Sequence, residues 1–261
     1  MILMKNLIKI FENLCYRNQA VDVFRDLLTI TLSQFCPKPH YEAEHKEAVS
    51  RLNDSNKINE FVKELINEYH SGIIMRGWCD PWGDLYMEIS GRYKSSAMGQ
   101  YFTPPDICTM MARMMIKPET AKKRISDPAC GSGRMALAAK SIAPDNFFFA
   151  EDLDPICSQM TAVNFAAHGC IGEVIQHDTL CDPKGMVQGF AIKNIGLPIP
   201  AIIPIEKEDS FICSGKVWFE CSHDRLFDSV KKLEKEPEIE INQEIKEEKS
   251  IKISVEQLSL F

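Results

Sequence analysis

Apolar residues recur at helical spacing through the first part of the chain. Leu7, Ile10, Phe11 and Leu14 mark one stripe, and Ile58, Phe61, Val62, Leu65 and Ile66 mark another. The Pro-containing stretch Cys36-Pro-Lys-Pro39 breaks the pattern between them, so residues 1–77 read as a helical cap region. Asp80 is placed to cap a helix over Trp82–Tyr93, with Pro81 in its first turn. The period then changes. Arg124-Ile-Ser-Asp127 reads as a short strand, Arg134 to Ile142 as a helix rich in Ala, Leu and Met, and Asn146-Phe-Phe-Phe-Ala-Glu-Asp152 as a buried strand ending in acid. A helix from Pro155 to Asn164 follows, with Asp154 as N-cap and Pro155 at its first position. Glu173-Val-Ile-Gln-His-Asp178 is a third β-like run closing on a carboxylate, and Gly189 to Pro198 stands where a fourth strand ends. Phe211-Ile-Cys213 and Lys216-Val-Trp-Phe-Glu220, separated by Ser214-Gly215, read as a β-hairpin in an extension over residues 201–230.

Alternating strands and helices predict an α/β fold whose strands converge on one crevice at their C-terminal ends. Asp127-Pro-Ala-Cys-Gly-Ser-Gly133 is the turn between the first strand and its helix. Gly131 and Gly133 can take positive φ there and let a ligand approach the backbone at the start of the helix. Asp152 lies 21 residues beyond Gly131, near the distance at which an acid receives ribose hydroxyls in doubly wound folds. A dinucleotide fingerprint would place a third glycine at Ala136, so this loop is of another kind.

The wording Asp127-Pro-Ala-Cys-Gly-Ser-Gly133 resembles the first cofactor motif of N6-adenine DNA methyltransferases, particularly the modification subunits of type I restriction systems. Gly99-Gln-Tyr-Phe-Thr-Pro104 resembles that family's other S-adenosyl-L-methionine motif, and Asp152-Leu-Asp-Pro155 its second block. The resemblance spans about residues 78–180 and implies a Rossmann-like S-adenosylmethionine-dependent methyltransferase fold over 78–200, in shortened form behind the helical region. It implies that Phe102, Thr103 and Pro104, with Asp127, Pro128, Ala129, Cys130, Gly131, Ser132 and Gly133, hold the methionine part of the cofactor, and it counts Tyr101 among the cofactor-binding residues. It places Asp152 at the ribose and Asp178 at the adenine amino group, with Leu153 and Thr179 beside them among the cofactor-binding residues. The family's base-holding tetrapeptide, Asn or Asp, Pro, Pro, then Tyr or Phe, occurs nowhere. Pro104-Pro105 is the only Pro-Pro pair and follows Thr103. Asn194 is the one candidate acceptor for the adenine amino group, with Ile195 and Gly196 where prolines belong. With 261 residues to hold these parts, little is left for a substrate half-sheet, and the reading is a methyltransferase-like protein completed by a partner that supplies DNA recognition. A non-catalytic adaptor of the same fold is the alternative.

Composition adds bounds. A net charge of −7 argues against an autonomous grip on DNA phosphates. Ten cysteines without CxxC or paired spacing suggest reducing cytoplasm, and the charged residues through 1–35 exclude a membrane span or signal there. Cys213, Cys221 and His223 are too irregular to predict a metal site. Residues 231–256 read as a linker, Glu- and Lys-rich up to Ser250, although Ile251, Ile253 and Val255 alternate. The chain closes on Gln257-Leu258-Ser259-Leu260-Phe261, which resembles the pentapeptide that docks bacterial proteins on the DNA polymerase sliding clamp. Leu258, Leu260 and Phe261 suit an apolar cleft and Gln257 offers an amide. A flexible 26-residue tether spans roughly 25 to 30 Å.

Overall fold

A computed structural model describes residues 2–16, 18–93, 100–180 and 185–214. Five helices come first: α1 (Ile2–Leu14), α2 (Ala20–Phe35), α3 (Glu42–Leu52), α4 (Ser55–Arg76) and α5 (Pro81–Tyr93). After α6 (Pro105–Met115) the chain alternates: β1 (Arg124–Asp127), α7 (Arg134–Ile142), β2 (Phe147–Asp152), α8 (Pro155–Ala167) and β3 (Ile171–Gln176). Two further strands, β4 (Gln188–Lys193) and β5 (Ala201–Pro204), precede a 3-10 turn at Lys207–Asp209 and a single helical turn, α9 (Phe211–Ser214).

The sheet is mixed, in the order β1-β2-β3-β4-β5. β1, β2 and β3 are parallel, whereas β4 and β5 each run antiparallel to the strand before them. The fold class is therefore α/β, as expected, but the fourth strand does not return to the first. Only eleven residues separate Gln176 from Gln188. A parallel return requires a crossover of about a dozen residues or more, usually helical, while an antiparallel neighbour needs only a turn. The boundary expected at residue 200 falls inside the β4–β5 hairpin.

The expected strand at Phe211–Cys213 is instead α9. Buried Glu173 decides this: its carboxylate accepts the N–H groups of Phe211 at 2.8 Å and Ile212 at 3.3 Å, and Ser210 Oγ accepts that of Cys213 at 3.1 Å. Acid and hydroxyl acceptors at the free N–H groups of a first turn stabilise helix there. The other half of the expected hairpin, Lys216–Glu220, lies outside the described residues, as do the 231–256 linker and Gln257–Phe261.

α8 sits between the sheet and the front helices and is buried along nearly its whole length. Asp154 caps it as predicted, accepting the Ile156 N–H at 2.8 Å, with Pro155 at its first position. The front helices share the core that α8 forms with the sheet. Phe24 and Phe61 pack on Trp82, ring centroids 5.2 and 5.8 Å away, and one apolar cluster runs from Leu7 to Ile202. The second face of the sheet carries a smaller cluster around Phe149, Ala191 and Ile203, covered by Phe211 and Ile212. No described helix is long and apolar enough to cross a membrane.

His168 closes α8 against the α4–α5 connection. Its Nε2 accepts the Cys79 N–H at 3.1 Å, so Nδ1, 2.7 Å from the Asn164 carbonyl oxygen, carries the proton of a neutral ring. Burial depresses its pKa to about 4, opposed by the bond to Asn164. The unfolded chain therefore takes up this proton first as pH falls, and stability contributed above pH 6.5 is lost between about 6.5 and 4, on the order of 3 kcal/mol. Denaturant unfolding at pH 7 and pH 4.5 is expected to show a pH-dependent loss in the wild type that His168→Leu reduces by most of that amount. Equal pH slopes would contradict the assignment.

Candidate functional site

The end of β1, the turn after it and the end of β2 form one wall of a cleft of about 390 Å³; the Gln100–Thr103 segment forms the other. Two glycines shape the first wall. Gly131 has φ +55° and lies under the Phe102 ring, so a Cβ there would sit 2.8 Å from a ring carbon. Gly133, at φ +87°, opens α7 where a Cβ would meet Thr161 at 3.0 Å. Gly131 serves close approach to an aromatic lid residue, and Gly133 serves packing of the turn on α8. Thr161 reinforces this by donating to the Gly131 carbonyl at 2.8 Å.

Asp152 crosses from β2 to the turn. Its Oδ2 accepts the Gly131 N–H at 2.8 Å and its Oδ1 the Asp154 N–H at 2.9 Å. A carboxylate has about four acceptor positions, and the Leu153 N–H also bonds this one, so only part of that capacity remains for hydroxyl donors in the cleft. Burial raises the pKa of Asp152, with backbone hydrogen bonds opposing, and burial likewise raises that of Asp127, whose Oδ1 accepts the Ala129 N–H at 3.3 Å. Because Asp152 takes the Gly131 N–H, that donor is not offered to an anion, and the two acids favour cationic or hydroxyl-bearing ligands over phosphate.

Beneath the cleft lies a buried polar network that the sequence reading did not assemble. Asp80 does cap α5, accepting the Gly83 N–H at 2.8 Å. It also accepts from Ser132 Oγ at 2.6 Å, Arg134 Nε at 2.5 Å and Asn164 Nδ2 at 2.8 Å. Arg134 continues to Asp84 at 2.7 Å and to the Thr103 carbonyl at 3.2 Å, with its guanidinium 5.6 Å from the Phe102 ring centroid. Burial, then the charge of Asp80, raises the Asp84 pKa to about 6, with Arg134 opposing. Tyr69 donates to Asn164 Oδ1 at 2.6 Å. Gln100 was also missed. Its amide donates to Asp154 at 2.9 Å and accepts from Cys157 Sγ at 2.9 Å, which anchors the opposite wall to the cap of α8.

Of the predicted cofactor residues, Tyr101, Phe102, Thr103, Asp127, Ala129, Cys130, Gly131, Ser132 and Asp152 line the cleft. Tyr101 stands exposed at its rim, and Cys130 and Ser132 are largely buried in its floor. Pro104 is the N-cap residue of α6 and Gly133 that of α7. Thr179 approaches the turn, donating to the Pro128 carbonyl at 3.1 Å, while Asp178 accepts the Leu180 N–H at 3.0 Å. Leu153 is exposed beyond the end of β2. Asn194 does not join them. It follows β4, whose antiparallel course pairs Ile192 with Gly172 at the start of β3 and Gln188 with Gln176 at its end. Asn194 therefore lies at the end of the sheet opposite Asp127 and Asp152, a correction to its expected place facing the cofactor. Among the described residues no group of His, Cys, Asp and Glu is arranged to hold a metal ion.

Parts of this chain are similar to known proteins. Residues 79–194 match the N-6 DNA Methylase family. The match begins at the network and runs through the cleft to the end of β4. A stretch of 78 residues is 35% identical to Type II methyltransferase M.XamI of Xanthomonas campestris pv. amaranthicola, covering 30% of this chain and 14% of that protein. Among solved structures, a type I restriction-modification system methyltransferase subunit from Streptococcus thermophilus aligns with a TM-score of 0.38 and 13% identity, over 69% of this chain and 59% of that one. The chain thus resembles the N6-adenine methyltransferase family and has an α/β methyltransferase-like fold with a mixed sheet.

The buried pair yields a direct test. Asp80→Ala leaves Arg134 uncompensated in the interior and is expected to cost about 3–5 kcal/mol in chemical denaturation, whereas Asp80→Ala with Arg134→Met recovers much of it. Additive losses would show that the two side chains are not coupled.

Proposed function

We propose that the cleft binds S-adenosyl-L-methionine and that the protein is a DNA adenine-N6 methyltransferase-like component completed by a partner. The observation that carries this reading is the bond from Gly131 N–H to Asp152. It aims a half-buried acid with acceptor capacity to spare at the cleft and denies a phosphate one of the turn's donors. Asp152 would take the ribose hydroxyls. Asp127 and the Phe102-Thr103 wall would face the methionine part, whose ammonium and sulfonium charges suit an acidic lining, and Asp178 and Thr179 would stand on the adenine side.

When bound, that cofactor supplies an electrophilic methyl group. The chain's own contribution is to position it and to exclude water with Phe102 and Tyr101. Methyl transfer also needs acceptors for the adenine amino protons and a ring to stack on the base. The displacement of Asn194 to the far end of the sheet favours a supply of both by a partner subunit that also recognises DNA. The same displacement supports a second reading, a non-catalytic adaptor that keeps the cofactor fold.

Calorimetric titration with S-adenosyl-L-methionine is expected to show one site, weakened at least about tenfold by Asp152→Asn, equivalent to about 1.4 kcal/mol. A tritiated-methyl assay on DNA, with and without cell extract, then separates the readings. Transfer only with extract supports the partner-completed enzyme. Cofactor binding without transfer in either condition supports the adaptor, and absence of binding defeats both.

For the chain's end we propose docking on a bacterial DNA polymerase sliding clamp through Gln257, Leu258, Ser259, Leu260 and Phe261. The apolar triplet behind a charged tether supports it. Deletion of Gln257–Phe261 is expected to abolish co-elution with the clamp. Unchanged co-elution, or none with the intact chain, overturns the proposal.

A further inference from the structure

Two acids of α5 grip the Arg134 guanidinium along one side. Its Nε donates to Asp80 at 2.5 Å and its Nη2 to Asp84 at 2.7 Å, while Nη1 donates to the Thr103 carbonyl at 3.2 Å. The group is planar and its donors stand at fixed angles, so one anchor leaves the plane free to turn and two fix it. Nη1 then points where the first two bonds direct it. What it holds is the cleft's second wall, because Thr103 follows Phe102, whose ring lies 5.6 Å from the guanidinium and against Gly131.

The two acids are not equivalent. The Asp80 side chain is 1% exposed, has all its acceptor positions filled and by itself balances the Arg134 charge. Asp84 is surplus to that balance. Its side chain is 40% exposed against 6% for Arg134, so protons from solvent reach it without opening the network. The charged groups that face it are Asp80 on its own helix, Arg134 of α7, and Arg76 and Glu68 of α4. Glu88, one turn on, is engaged by Arg92, and burial keeps the Cys79 thiol neutral by pushing its pKa up to about 12. Burial and Asp80 raise the pKa of Asp84 from 3.8 to about 6, so the folded protein holds this proton more tightly than the unfolded chain. Stability therefore falls as pH rises through that window, and the ionised carboxylate is kept at a cost to the fold. Such a group is expected where it serves a site.

We propose that Asp84 is a positioning residue of the cleft: its ionised carboxylate fixes the plane of the Arg134 guanidinium and with it the Phe102–Thr103 wall, so that proton release at Asp84 and ligand binding are coupled. When Asp84 takes up a proton, the Nη2 anchor passes from a charge-assisted bond to a weaker neutral one, and the wall loosens. Affinity then falls as pH falls through this step. Asp127 and Asp152 line the same cleft and take up protons as well, so the Asp84 contribution is the difference between the wild type and Asp84→Asn at each pH. The affinity effect rests on the proposed binding of S-adenosyl-L-methionine. The hold on the wall does not.

A ligand-free measurement tests the hold. The fluorine resonance of para-fluorophenylalanine placed singly at Phe102 is expected to titrate with a midpoint near pH 6 in the otherwise wild-type chain and to lose that step in Asp84→Asn. Calorimetric titration with S-adenosyl-L-methionine at pH 7.5 is expected to show binding about threefold to tenfold weaker in Asp84→Asn than in the wild type, converging at pH 5. Denaturant unfolding at pH 7.5 is expected to show Asp84→Asn no less stable than the wild type. A wild-type resonance without a step between pH 5 and pH 7, the same step in both proteins, or wild-type affinity in Asp84→Asn at pH 7.5 overturns the proposal. Loss of stability in Asp84→Asn at pH 7.5 also overturns it, by assigning the carboxylate to the fold. If neither protein binds S-adenosyl-L-methionine, the cofactor reading fails and the fluorine titration still decides the positioning role.

Discussion

The cleft depends on one carboxylate that never reaches it. Asp80 is almost fully buried, and removing an acid and a guanidinium from water costs several kcal/mol for each. The cost is offset because every acceptor position is used: Oδ1 receives Gly83 N–H and Asn164 Nδ2, and Oδ2 receives Ser132 Oγ and Arg134 Nε. Four donors from the start of α5, the glycine turn, α7 and α8 thereby converge on two oxygens. Arg134 extends the constraint to the opposite wall through the Thr103 carbonyl and the Phe102 ring. An apolar substitute of equal volume could match the stability of this pair, but it would not specify where the turn and the wall stand relative to each other.

Local structure was legible in the sequence where local chemistry decides it. The stripes of α1 and α4, the Asp80-Pro81 and Asp154-Pro155 helix starts and the two glycines of the turn all act within a few residues of their own position. Long-range placement was not legible from the same signals. Gln188–Lys193 has the composition of a buried strand in either direction, and only the eleven-residue connection before it excludes a return to β1. That count is in the sequence, but naming Asn194 as a candidate acceptor took no account of the direction in which its strand runs. α9 shows a different limit. Phe211-Ile-Cys213 has strand-like residues, and the acceptor that turns it into helix, Glu173, is 38 residues earlier on the central strand.

Asp80 shows how a correct local reading can conceal a larger role. Its capping bond to Gly83 accounts for the residue at that position, so the sequence offers no remainder to explain. A cap on an exposed helix needs one or two acceptor positions, and the others face water. Here burial leaves none for water, and partners 52 to 84 residues away fill them. Gln100 behaves in the same way, since its neighbours Asp154 and Cys157 are brought to it only by the packing of α8.

The turn also differs in one backbone donor from a glycine-rich loop that binds phosphate. In a phosphate-binding turn the first backbone N–H groups are left free, and the helix that follows adds its positive end. Here the acid at the end of β2 bends back to take the Gly131 N–H, which removes one donor and adds a negative charge within hydrogen-bonding distance of the same backbone. A phosphate entering this cleft would meet two acids instead of open donors, whereas a diol could use the remaining acceptor positions of Asp152 and a cation would be drawn to Asp127 and Asp152 together. The glycines open the backbone to the cleft, and the fate of one N–H sets the charge that stands beside it.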